Sequence, residues 1–69
     1  MITYEPLRIL LVKRSIKKMD FIAKVGISPT TAAKLWNDGY VSLEVLDRIC
    51  EAYDVEISDV VRRKKEQEG

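Results

Sequence analysis

Histidine is absent from this 69-residue sequence, and cysteine occurs once, at Cys50. A single thiol forms no intramolecular disulfide, and without histidine or a cysteine pair the donors for a structural zinc site are missing. The same shortage removes the usual pairings of nucleophile and base, and no glycine-rich loop is present to cradle a phosphate. The sequence is therefore not expected to be an enzyme, and it implies no cofactor. No apolar run reaches the length of a membrane span, and the N-terminus lacks the small-residue cleavage site of a signal peptide. A cytoplasmic protein without a membrane or small-molecule partner is expected. Net charge is also scarce, at +1.

That small total conceals a division. Residues 1–34 carry seven basic side chains (Arg8, Lys13, Arg14, Lys17, Lys18, Lys24 and Lys34) against two acidic ones, whereas residues 35–69 carry five against nine. A basic face attracts a polyanion, and an acidic far side orients the approach. The length fits one domain over 1–69, with a core small enough that self-association would help to hold it.

Residues 18–36 organise the rest. Phe21, Ile22 and Val25 recur at helical spacing and form one apolar stripe. Gly26 is placed to end that helix, because glycine takes a left-handed C-cap without steric cost. Ser28 and Pro29 open the next helix: the hydroxyl accepts from orphan amides, and proline in the first turn forfeits no hydrogen bond. Ala32 and Leu35 are its inward positions, leaving Thr30, Thr31, Lys34 and Asn37 outward. Helix, tight turn and helix in this order make the helix-turn-helix pattern, whose second helix can enter a DNA major groove.

On either side the pattern is helical too. Pro6 starts a first helix with Leu7, Leu10 and Leu11 inward, while Ile9 and Val12 widen its apolar surface. Ile16 tucks inside a break at 15–18, Met19 is expected to fill core, and Trp36 packs with its indole N–H reaching water or a carbonyl. A turn at 37–40 leads to a helix capped by Ser42, with Leu43, Leu46, Ile49, Cys50 and Tyr53 as its stripe. Cys50 reads as a small buried hydrophobe. A last helix is expected from Ile57 to about Lys64, with Ile57, Val60 and Val61 inward, followed by a charged, frayed tail over residues 64–69. The expectation is an all-α fold of five short helices with no strand.

The whole pattern resembles the compact Cro/CI-type (XRE-like) helix-turn-helix domains of bacteria and phages. The resemblance spans residues 4–61. It rests on Tyr4, Leu7, Leu10 and Leu11; on Lys17, Lys18 and Asp20 leading to Gly26-Ile27-Ser28; and on Ala33-Lys34-Leu35. Its strongest block is Val41-Ser42-Leu43-Glu44-Val45-Leu46 with Ile49-Cys50, followed by Ile57-Ser58-Asp59-Val60. It implies a lambda-repressor-like fold and a homodimer that reads an inverted-repeat operator in double-stranded DNA with helix 3, residues 29–37, in the major groove. A small transcriptional regulator, a repressor, is the implied role. Carried onto this chain, Pro29, Thr30 and Lys34 face base edges, Ser28, Thr31 and Lys18 face phosphates, and Asn37 completes the outward face.

Two positions depart from the family pattern. Pro29 stands where many relatives carry a polar reader, and the usual small-then-bulky pair at the helix crossing is reversed as Ile22 and Ala32. A rival reading keeps the scaffold and changes the partner: an antitoxin-like or anti-repressor module that binds protein, a reading to which the modest net charge and the acidic second half lend support. The N-terminal Ile2 and Tyr4 and the last two helices are the candidate dimer surfaces.

Overall fold

A computed structural model describes residues 1–65. Among them the α-helices are α1 (Glu5–Lys13), α2 (Lys18–Val25), α3 (Pro29–Trp36) and α4 (Leu43–Tyr53). A short strand β1 (Ile2–Thr3) precedes α1, while a 3₁₀ turn (Ile57–Asp59) and a second strand β2 (Arg62–Arg63) follow α4.

The helix ends follow from local chemistry. Gly26 closes α2 in the left-handed conformation, φ 77°, and its N–H donates to the Ile22 carbonyl at 2.9 Å. The Ser28 hydroxyl accepts the Thr31 N–H at 3.2 Å, and the Ser42 hydroxyl accepts that of Val45 at the same distance. Each serine satisfies one of the amide donors that the first turn of a helix leaves without a partner. At the far ends, Asp54 closes α4 with φ 54°, and Ser15 takes φ 56° one residue beyond the C-cap of α1.

These helices bury Tyr4, Leu7, Leu11, Phe21, Val25, Leu35, Leu46, Ile49 and Val60 as one cluster, with Trp36, Ile22 and Ile27 packed against it. Ala32 is buried beside the cluster, and Ile22 is half-buried. Removing a side chain such as Phe21 or Ile49 from water contributes roughly 1.5–3 kcal/mol. Tyr4 is the largest fully buried residue. It therefore cannot serve as the dimer surface for which it was a candidate.

Four other expectations are corrected. Met19 is 77% exposed. Successive residues turn by about 100° along a helix, so the Phe21 and Val25 side of α2 faces the core and Met19 faces away from it. Leu43 is 78% exposed because it occupies the first position of α4, beyond the packed stripe of Leu46 and Ile49. Ile57 is 45% exposed. Finally, the fifth α-helix expected from Ile57 does not form, so the described residues make four α-helices with a small sheet and not five helices without a strand.

The reason lies at Val60. The Glu56 N–H donates to the Asp59 carboxylate at 3.0 Å, which holds a single 3₁₀ turn. Val60 is then fully buried, and its carbonyl accepts the Leu7 N–H at 3.2 Å. That contact satisfies an orphan amide in the first turn of α1. Val60 itself still holds right-handed helical backbone (φ −112°, ψ −44°), and beyond it the chain leaves the core as β2. β2 pairs antiparallel with β1, Ile2 opposite Arg63 and Thr3 opposite Arg62. The Lys64 N–H extends the pairing to the Met1 carbonyl at 2.7 Å. The expected frayed tail is thus tied down at Lys64, and residues 66–69 lie outside the described residues.

Candidate nucleic-acid interface

Helix α3 is half wrapped and half bare. Ala32 and Leu35 are buried, and Thr31 and Trp36 flank them half-buried. Pro29, Thr30, Ala33, Lys34 and Asn37 are exposed and share one arc of the helix. Every residue expected to face bases therefore lies on that arc. Ser28 is exposed at its N-terminal edge, where its hydroxyl also donates to the Thr31 hydroxyl at 3.1 Å. In the first turn of α3 Pro29 has no N–H, the Thr31 N–H is taken by the Ser28 hydroxyl and the Ala32 N–H by the Ser28 carbonyl, which leaves the Thr30 N–H to face an anion at the positive end of the helix.

The C-terminal end of α3 is fixed from a distance. The Arg8 guanidinium donates from Nη1 to the Leu35 carbonyl at 3.0 Å and to Asp38 Oδ1 at 3.1 Å. The same carboxylate oxygen accepts the Tyr4 N–H at 3.0 Å and the Thr3 hydroxyl at 3.1 Å. The Tyr4 amide, with the Arg8 and Thr3 donors, holds the Asp38 carboxyl below its ordinary pKa against a partial opposing effect of burial. Gly39 donates its N–H to the Lys34 carbonyl at 2.8 Å. A Cβ on Gly39 would stand 3.2 Å from the Lys34 Cβ, so glycine permits this close approach.

The basic residues divide by task. Arg8 is engaged with Leu35 and Asp38, and Arg14 donates to the Tyr53 carbonyl at 3.2 Å, capping α4. Lys18 lies over the Trp36 ring and Lys24 over the Tyr53 ring, each 4.7 Å from the ring centroid. Lys13, Lys17 and Lys34 are exposed and make no ion pair among the described residues. Burial raises the Cys50 thiol pKa, reinforced by Glu56, Asp47 and Asp59, so this cysteine is poorly suited to act as a nucleophile. Among the described residues no group of acidic, cysteine or histidine side chains is placed to hold a metal ion, and no helix is long and apolar enough to cross a membrane.

The family model for the Cro/C1-type HTH DNA-binding domain matches residues 6–66. The chain belongs to that family. A solved structure agrees with the assignment: the Cro/C1-type domain described here is similar to the transcriptional regulator VanUg in a crystal structure. The two share 38% identity with a TM-score of 0.85, over 88% of this chain and 81% of the other. No curated protein matches this Cro/C1-type domain.

Two features of the interface escaped the sequence reading. Ala33 stands within the exposed arc between residues already singled out. Helical periodicity could have found it, because 33 follows 30 by three and precedes 37 by four. Asp38 had no such signal: its partners Thr3, Tyr4 and Arg8 lie 30 or more residues away.

Proposed function

We propose that this Cro/C1-type domain is a small transcriptional regulator, a repressor, that binds a specific duplex sequence by inserting α3 into the major groove. The observation that carries the reading is the bare arc of α3, with Thr30, Ala33, Lys34 and Asn37 presented outward from a helix whose two ends are fixed. VanUg, a transcriptional regulator, shares the fold closely enough to support it. In this reading Lys34 donates to guanine O6 or N7, Thr30 meets a thymine methyl or a base acceptor, and Pro29 offers shape without a side-chain hydrogen bond. Ala33 adds an apolar contact of the kind that selects thymine. Ser28, Thr31, Lys18 and the Thr30 N–H hold phosphates, and Asn37 lies at the edge of the contact. The protein acts as a homodimer on an inverted repeat, with half-sites about one helical turn apart.

Selection from a randomised duplex pool tests this directly. The expected result is an enriched inverted repeat. On the selected duplex, Lys34→Ala should cost about 1–3 kcal/mol of binding and relax the preference at one base pair. No enrichment even at low salt, together with tight capture of a protein partner, would replace the regulator with the protein-interaction reading. A single enriched half-site would keep the regulator and remove the dimer.

A further inference from the structure

Aromatic side chains from α2, α3 and the end of α4 form a row that ends in a lysine on each side. Trp36 meets Phe21 edge to face, with 5.8 Å between ring centroids, and Phe21 stacks on Tyr53 at 6.0 Å. Lys18 covers the Trp36 end and Lys24 the Tyr53 end. Lys18 is the first residue of α2, and Trp36 is the last of α3. The indole thus joins the start of one helix to the end of the other. Lys18 makes no ion pair among the described residues.

We infer that Trp36 is a positioning residue for DNA binding: its indole face seats the Lys18 ammonium so that it meets a backbone phosphate in fixed register with α3. The inference rests on the DNA reading above and adds a task to a residue otherwise explained by packing. A lysine side chain is a flexible stem carrying a compact charge, and it loses rotamer freedom when it binds. The aromatic face attracts the cation through its quadrupole and leaves the ammonium N–H donors available. Lys18 is therefore restrained before DNA arrives while its hydrogen-bonding capacity remains open. Because Trp36 packs on Phe21, the seat moves with the core and not with the surface. A lysine without the indole would supply the same charge with no fixed position.

The experiment measures duplex affinity over a salt series for the wild type, Lys18→Gln, Trp36→Phe, Trp36→Leu and the Lys18→Gln/Trp36→Leu double variant. Loss of one phosphate contact lowers the slope of log K against log salt by about 0.9. Lys18→Gln should show that loss, Trp36→Leu most of it, and the double variant no more than Lys18→Gln alone. Trp36→Phe keeps an aromatic face and should restore most of the slope, with affinity within about two- to fivefold of wild type. In the free wild-type protein, nuclear magnetic resonance should show the Lys18 terminal methylene shifted upfield by the indole ring current. That readout stands even if Trp36→Leu fails to fold. An unshifted methylene, an unchanged slope in Trp36→Leu, or losses that add independently would each overturn the inference while leaving the DNA reading intact. Wild-type protein with no affinity for any duplex would overturn the DNA reading, and this inference with it.

Discussion

Asp38 carries more of the architecture than any other polar residue described here. One carboxylate oxygen gathers donors from Thr3, Tyr4 and Arg8, and Arg8 in turn reaches the Leu35 carbonyl. The residue also takes φ 57°, a conformation that Asn tolerates as well as Asp. Asp38→Asn therefore removes charge while keeping shape. At neutral pH it should cost about 1 kcal/mol, the size of a partly exposed ion pair with a charged hydrogen bond. Asp38→Ala loses the acceptors and the backbone preference together and should cost more. Because the native carboxyl titrates below its ordinary value, its contribution is complete above the unfolded pKa of about 3.9 and disappears as pH falls through the folded one. Urea unfolding of wild type and Asp38→Asn should thus differ at pH 7 and converge at strongly acidic pH. The sequence shows an Asn-Asp-Gly turn at this position, but it does not show that the turn anchors the start of α1.

Caps are the part of the helices most legible in the sequence. Gly26, Ser28, Pro29 and Ser42 act where local chemistry puts them, because a cap depends on its nearest neighbours. The end of the chain was not legible for the opposite reason. The spacing of Ile57, Val60 and Val61 fits a helix, yet what decides their conformation is the distant Leu7 amide and the β1 backbone. Met19 and Leu43 were misplaced because apolar character says little about which side of a helix faces the core. Two glycines separate the local from the distant effect. Gly26→Ala meets no neighbour within 4 Å but must hold a positive φ. It should therefore lower stability by roughly 1–2 kcal/mol, with Gly26→Asn recovering part of the loss. Gly39→Ala lacks that strain and instead crowds Lys34. It should disturb affinity for the selected duplex more than thermal stability. Thermal melts and binding titrations on the three variants check both statements.

Across the whole molecule, charge and connectivity are arranged separately. Of the basic residues in the first half, Arg8 is half-buried and paired with Asp38, whereas Arg14 caps α4 from the surface and keeps its charge there with the exposed lysines. The bias toward one half was visible in the sequence; this division of labour required the fold. The β1–β2 pair has a further consequence, for the order of events in folding. Joining residues 1–3 to residues 62–64 closes the longest loop among the described residues, and closing a loop that long is entropically costly before its contacts form. Tyr4, Leu7 and Val60 meet only when that loop shuts. The four helices can assemble through shorter-range contacts first, with the chain ends arriving last. Val60→Ala should destabilise the protein by about 2 kcal/mol, and stopped-flow kinetics should show nearly all of it as faster unfolding, with the folding rate hardly changed. Seen this way the small sheet is a latch: it contributes little to how quickly the domain finds its shape and much to how long it keeps it.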